Sequence, residues 1–345
     1  MIAFRAAPVV RGFNKHANED VQWGRPMSAL RRWSWALLLL SLLFTTPALR
    51  ADDGIELTPQ QLTPRVWYFR GESGAASAAN KGYMSNAGFV VTRDQVVVFD
   101  SLGTPALGEA MIKAIRRITP LPVKLVVISH YHADHFYGLQ AFKRIGAQVW
   151  AHAEAKTYLA SNLAVERLAQ RRQDLAPWVD ERTTLVAPDR LLQGGETFKR
   201  GGVDFRLIDV HGSHAADDMM LSVPGEGVLF AGDLFFSGRL PFVGDTNTAR
   251  WLLALDRMLE SRPRIVVPGH GDSSANPLPA IEITRDYLRY LRQQMGDAVA
   301  DLTPFDEAYG RTDWSRFAGL KAFDAANRLN AYNVYIQMEQ EALSK

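Results

Sequence analysis

The sequence predicts an α/β protein in which two mixed β-sheets pack face to face, with helices outside. Three observations carry this reading. Short β-rich apolar runs recur in two groups along the chain. Each group gives way to segments of helical period. A stretch rich in Pro and Gly, residues 183–202, separates the two groups as the expected linker. Half-chains of this kind bury the apolar faces of their sheets against each other and cover the outer faces with helices.

In chain order, RVWYFR (65–70), AGFVVT (87–92) and QVVVFD (95–100) are strands, with Arg93-Asp94 as a hairpin turn between the last two. Pro105 opens a helix, PALGEAMIKAIRRI, with apolar residues at Leu107, Met111, Ile112, Ile115 and Ile118, and Pro120 and Pro122 close it. VKLVVI (123–128) is the next strand. Residues 136–145 read as helix, 148–150 as a short strand and 154–173 as a longer helix. In the second half VDFRLIDV (203–210), MMLSVP (219–224), GVLFAGD (227–233) and RIVVPGHG (264–271) supply strands, the last running into a loop. A helix over 248–260 opens after Asn247, and from Leu278 onward the pattern is helical to the end.

With 345 residues, 47% of them hydrophobic, there is ample material for one large core. The chain has no cysteine, which excludes disulfides, thiol nucleophiles and iron–sulfur ligation and leaves His, Asp and Glu as metal ligands. Residues 27–51, MSALRRWSWALLLLSLLFTTPALRA, have the layout of a secretory signal peptide: a basic start, an apolar stretch from Ala36 to Phe44, then Pro47 and small residues up to Ala51. The expectation is export to the periplasm or beyond, with cleavage near Ala51 and no lasting membrane insertion, because the apolar run falls well short of the about 20 residues a span needs. Arg31-Arg32 leaves both the general and the twin-arginine export routes open. Residues 1–26 precede this complete layout and are expected to be a gene-start extension, with 52–345 as the working domain. Residues 1–51 hold seven Lys/Arg against Glu19 and Asp20, five positive charges net, so the formal +2 of the chain becomes −3 without them. A mildly acidic exported domain does not suit nucleic acid.

Residues 129–136, SHYHADHF, place three of the eight histidines and an aspartate in six positions just past a strand. His130 and His132 are two apart and face the same way in extended backbone, while Asp134 and His135 are near enough to serve a second centre. Imidazole and carboxylate are donors that suit zinc. Further donors stand just past other strands: His214, with His211 as its rival three residues earlier, Asp233 and His270. His152 is expected to cap or pack beside its helix, and Asp100 to have a supporting role. Arg239, in a Gly/Pro-containing loop, is a candidate for an anionic substrate or a surface arginine; Phe136 and Tyr137 either line a pocket or pack on the core.

The ordered set HxHxDH (His130, His132, Asp134, His135), His214 before a strand, GD in AGDLFF and then PGHG resembles the metallo-β-lactamase-fold hydrolases. The likeness runs from about residue 54 to near the C-terminus and takes in NAGFVV and VVVFDS. GDLFFSGRLP, PGHG and the C-terminal segments are similar, more narrowly, to exported zinc metallohydrolases associated with quinoprotein and sulfur-oxidation systems. The resemblance implies an αββα sandwich with its site at one edge between the sheets. It implies two Zn2+, one on His130, His132 and His214, the other on Asp134, His135 and His270, with Asp233 bridging; iron or manganese would also accept these ligands. It favours His214 over His211.

The implied activity is hydrolysis of an ester, thioester, lactone or amide-like bond in a small molecule, by hydroxide shared between the metals and oriented by Asp134. A periplasmic β-lactamase is the alternative within the family. Against it, one lactamase branch uses a cysteine at the fourth motif, and the branch with HxHxDH lacks the bridging aspartate found here. A zinc-containing accessory protein of a redox system, with little turnover, is the alternative outside catalysis. The helices from about 278 are expected to form a lid or a homodimer surface.

Overall fold

The computed structural model describes residues 54–244 and 246–344. The expected leader, its cleavage site and the extension ahead of it lie outside the described residues.

The first sheet holds seven strands in chain order: β1 (Gln60–Gln61), β2 (Val66–Phe69), β3 (Ala87–Val91), β4 (Val96–Phe99), β5 (Val123–Val127), β6 (Gln148–His152) and β7 (Arg190–Leu192). The first four pair antiparallel and the rest parallel. The second sheet holds β8 (Thr197–Arg200), β9 (Val203–Asp209), β10 (Met219–Val223), β11 (Val228–Phe230) and β12 (Ile265–Val267), antiparallel except for the final pair.

Period-two alternation sorts the side chains into layers. In β4, Val97 and Phe99 join Phe205, Leu221 and Phe230 in the core between the sheets. Val96 and Val98 face the opposite way, into the core beneath α1 (Pro105–Ile118). Residues buried on both faces explain why β4 and β5 read as continuous apolar runs. Thr104 caps α1 by accepting the Leu107 N–H, with Pro105 in the first turn. The outer face of the second sheet carries α6 (Thr248–Glu260) and the C-terminal α7 (Pro277–Ala300), α8 (Phe305–Arg311) and α9 (Phe323–Leu343), packed around Trp251, Tyr287 and Leu291. The order is helix, sheet, sheet, helix, as the two-sheet reading expected.

Three boundaries differ from the sequence reading. The expected helix over 136–145 is two pieces, α2 (Ala133–Phe136) and α3 (Leu139–Arg144). Gly138 lies between them, and a Cβ there would sit 1.8 Å from the Ser101 carbonyl oxygen, so the residue buys close approach to the strand-end loop rather than helix. The helix over 154–173 is likewise α4 (Ala155–Leu159) and α5 (Asn162–Asp174), restarted by Ser161 as an N-cap. The linker over 183–202 contains β7 and β8, one edge strand of each sheet. The crossing between sheets is the turn carrying Gly194 and Gly195 within it. No helix among the described residues is long and apolar enough to cross a membrane.

Candidate metal centre

The site is built at strand ends. β5 stops at Val127, and residues 129–132 form a loop into α2, whose N-cap is His132. Two buried aspartates from elsewhere set this loop. Asp217 accepts the Tyr131 N–H at 3.0 Å. Asp100, at the end of β4 with φ of 62°, accepts the Ser129 N–H at 2.7 Å, the Ser129 hydroxyl at 2.8 Å and a proton from His135 Nδ1 at 2.9 Å. A non-glycine residue in left-handed backbone is strained, and three bonds to one carboxylate hold it there.

These bonds fix tautomers. The Ser129 hydroxyl gives its one proton to Asp100, so the 2.9 Å contact with His130 Nδ1 is a bond that the serine oxygen accepts. His130 Nε2 is then a free lone pair. The same logic leaves Nε2 free on His135, which donates to Asp100, and on His270, whose Nδ1 donates to the Met84 carbonyl at 2.8 Å. A ring held by its far N–H is how histidines are oriented toward metals.

The free atoms converge. His130, His132, His214 and Asp233 form one group whose ligand atoms lie within 4.8 Å of one another, and Asp134, His135 and His270 form a second. Asp233 belongs to the first yet reaches the second, with Oδ1 3.1 Å from His135 Nε2 and Oδ2 3.3 Å from His270 Nε2. His214 Nε2 lies 3.1 Å from His132 Nδ1 and 3.5 Å from Asp233 Oδ2. Asp233 stands in the 3-10 turn after β11, and a Cβ on Gly269 would fall 1.8 Å from its Oδ1, so only glycine leaves the carboxylate its place.

Whether the residues suit metal is decided by what the protein leaves unsatisfied. His130 Nε2, His135 Nε2, His214 Nδ1 and Asp233 Oδ1 are buried without a hydrogen-bond partner, although the Asp233 and His135 atoms are in close contact. Native proteins pair nearly all such atoms. Burial holds His130 well below its ordinary range and His214 down to about 3, so both stay neutral. Burial also opposes ionised Asp233, but His270 and His135 outweigh it and keep the carboxyl well below the usual range. Neutral imidazoles and ionised carboxylates facing one buried space are a donor set for cations, and the residues fit a pair of zinc-type ions.

All seven expected donors are thus brought together. His211 is not with them: its Nδ1 bonds Asp209 at 2.8 Å and its ring stacks on His152. His152 accepts the Glu154 N–H ahead of α4, as a cap would. Phe136 and Tyr137 are fully buried in the core under α1, the packing alternative of the two. Arg239, by contrast, is 7% exposed, with Nη1 3.1 Å from His270 Nδ1, so the surface alternative does not hold. Sequence reasoning missed Asn86. Its amide donates to the Pro268 and Gly271 carbonyls at 2.9 Å and its N–H to Gly269, clamping the His270 loop. Asp217 and Ser129 were missed too, each beside a donor in sequence.

The metallo-beta-lactamase superfamily model matches residues 80–270. The chain is 24% identical over 264 residues to the metallo-beta-lactamase type 2 of Bacteroides fragilis, covering 73% of this chain and 94% of that protein. It is 20% identical over 236 residues to a linear primary-alkylsulfatase of Pseudomonas sp., covering 58% of this chain and 44% of that enzyme. The solved structure of the sec-alkylsulfatase Pisa1 from Pseudomonas sp. superposes with a TM-score of 0.65 at 19% identity, over 81% of this chain and 50% of that one. A metallo-beta-lactamase from Pontibacter korlensis gives 0.54 at 22% identity, over 68% and 99%. The chain therefore spans nearly the full length of these lactamases and half or less of the alkylsulfatases. Since the matched region takes in every one of the seven gathered donors and most of both sheets, the chain belongs to the metallo-beta-lactamase superfamily of hydrolases.

Proposed function

We propose that the protein is an exported hydrolase that works with two zinc ions on an ester, thioester, lactone or amide-like bond of a small molecule. The observation that carries the reading is the set of seven donors whose buried lone pairs the protein itself does not satisfy. Bound at such a site, two metal ions polarise the scissile group and make water acidic enough to attack near neutral pH. The chain supplies the rest. Asp134 is the catalytic carboxylate: its side chain is 14% exposed against 5% for Asp233, so it faces the mouth of the site. Burial opposes its ionisation, but His135 and His270 outweigh that and keep it ionised, ready to orient the attacking water and accept its proton. The Asp100, Ser129 and Met84 bonds hold the rings in place throughout. Export rests on the leader layout of residues 27–51.

A periplasmic β-lactamase is the second reading, favoured by the 94% coverage of the Bacteroides fragilis enzyme. A panel of ester, thioester, lactone and β-lactam substrates separates the two. The deciding experiment is metal content per chain of protein expressed from Met27 and recovered from the periplasm, beside Asp233→Ala. Two metals, falling in the variant, are expected. One or none in the native protein would overturn the two-metal reading, and retention in the cytoplasm would overturn export.

A further inference from the structure

Arg239 is a buried cation whose partner is missing from the protein. Its backbone is pinned on both sides: Ser237 N–H donates to the His270 carbonyl and Leu240 N–H to the Lys321 carbonyl, both at 2.9 Å. The residue is only 7% exposed, yet Nε is buried with no hydrogen-bond partner. Nη1 lies 3.1 Å from His270 Nδ1, but that nitrogen carries the proton given to Met84, so it offers no lone pair. Among the described residues no carboxylate comes within the 4.0 Å of an ion pair with it. Asp134 and Asp233 are near enough to act on its charge, but their oxygens are turned to the histidines.

A guanidinium in this condition costs stability, because desolvation is not offset by a bonded anion. Arginine does not escape by losing its proton. Beside a site for two divalent cations the cost is greater still, unless a negative group arrives with the substrate. We propose that Arg239 receives an oxyanion group of the substrate, carboxylate or sulfate, on the His270 side of the centre, so that the enzyme selects anionic substrates. Arg167, on the exposed face of α5, adds positive potential at His132 and draws the same class of molecule to the mouth. The inference rests on the hydrolase reading and narrows its substrate class.

The test uses protein of verified metal content: native enzyme, Arg239→Met and Arg239→Lys. It measures kcat and KM on a neutral ester, on the same ester bearing a carboxylate and on a sulfate monoester. Calorimetric binding of acetate and of inorganic sulfate, and Tm, complete it. Native enzyme should prefer one of the charged substrates, and which one names the oxyanion. Arg239→Met should lose on the order of 100-fold in kcat/KM on that substrate, mostly through KM, and far less on the neutral ester, with Arg239→Lys recovering part. Its Tm should hold or rise, since an unpaired buried charge is gone. Equal losses on neutral and charged substrates, or a fall in Tm with loss of metal, would make Arg239 structural and overturn the proposal. If native enzyme with two metals turns over none of the three, the hydrolase reading fails, and calorimetry decides alone: weaker anion binding in Arg239→Met supports the proposal, and equal binding overturns it.

Discussion

Two clusters of histidine and aspartate lie close together in this chain, and they differ in what they leave over. The larger one, around Asp233, ends in buried lone pairs with no protein partner. The smaller, His152, Asp209 and His211, also brings its ligand atoms within 4.8 Å. There, however, His211 bonds Asp209, His152 bonds the Glu154 N–H, and the two rings stack at 5.2 Å with 13° between planes. Its polar atoms are satisfied by the chain itself, and none is a buried orphan. Composition and proximity are shared; the unsatisfied lone pair separates a place for metal from a place where side chains merely meet.

The sharpest way to break this comparison is to exchange one histidine from each cluster. His214→Ala should remove at least one metal per chain and lower turnover by about 1000-fold or more, since a site acting as a unit fails as a unit. His211→Ala, three residues away, should keep both metals. Elemental analysis of the two purified variants decides it, and the reverse pattern would place the centre in the wrong cluster.

Asp100→Asn probes the support rather than the donors. An asparagine can still accept the Ser129 N–H, but it cannot accept both the serine hydroxyl and the His135 proton as the carboxylate does. The His135 ring loses its anchor, and metal affinity should fall about 10- to 100-fold with the fold intact. Competition against a chromophoric chelator measures this. A variant binding metal as tightly as the native protein would show that packing alone orients the ring.

How much of this could be read from the sequence follows from the range of each interaction. The seven donors were legible because each stands next to a strand end, and strand ends are local signals. The two-sheet order was legible because strands buried on both faces appear as unbroken apolar runs. The linker was misread because β7 and β8 are short, partly exposed edge strands, where Gly and Pro signal a turn more strongly than three or four residues signal a strand. The helix breaks at Gly138 and Ser161 answer to contacts, not to periodicity. Asn86 clamps a loop some 180 positions away, and Arg239 is buried by a backbone pairing to Lys321. No local pattern announces either, so the strand-end chemistry was visible and the supports that hold it were not.

The smallest expected effect belongs to the satisfied cluster and depends on pH. Burial pushes the Asp209 carboxyl up, but hydrogen bonds from the His211 backbone and ring outweigh it and hold it below its ordinary range. A carboxyl depressed in the folded state contributes stability that is present above its unfolded pKa of about 3.9 and is lost as pH falls through the folded value. Asp209 is 32% exposed, so solvent screening limits the contribution to about 0.5 kcal/mol at neutral pH. His211→Ala should therefore cost about that much in urea unfolding at pH 7, and the difference from native protein should shrink toward zero below about pH 4. Taking the difference at each pH cancels the much larger acid response of the seven-donor site, which both proteins share. A difference of several kcal/mol at pH 7, or one that tracks metal content, would mean that His211 is coupled to the centre after all, and the two clusters would have to be treated as one.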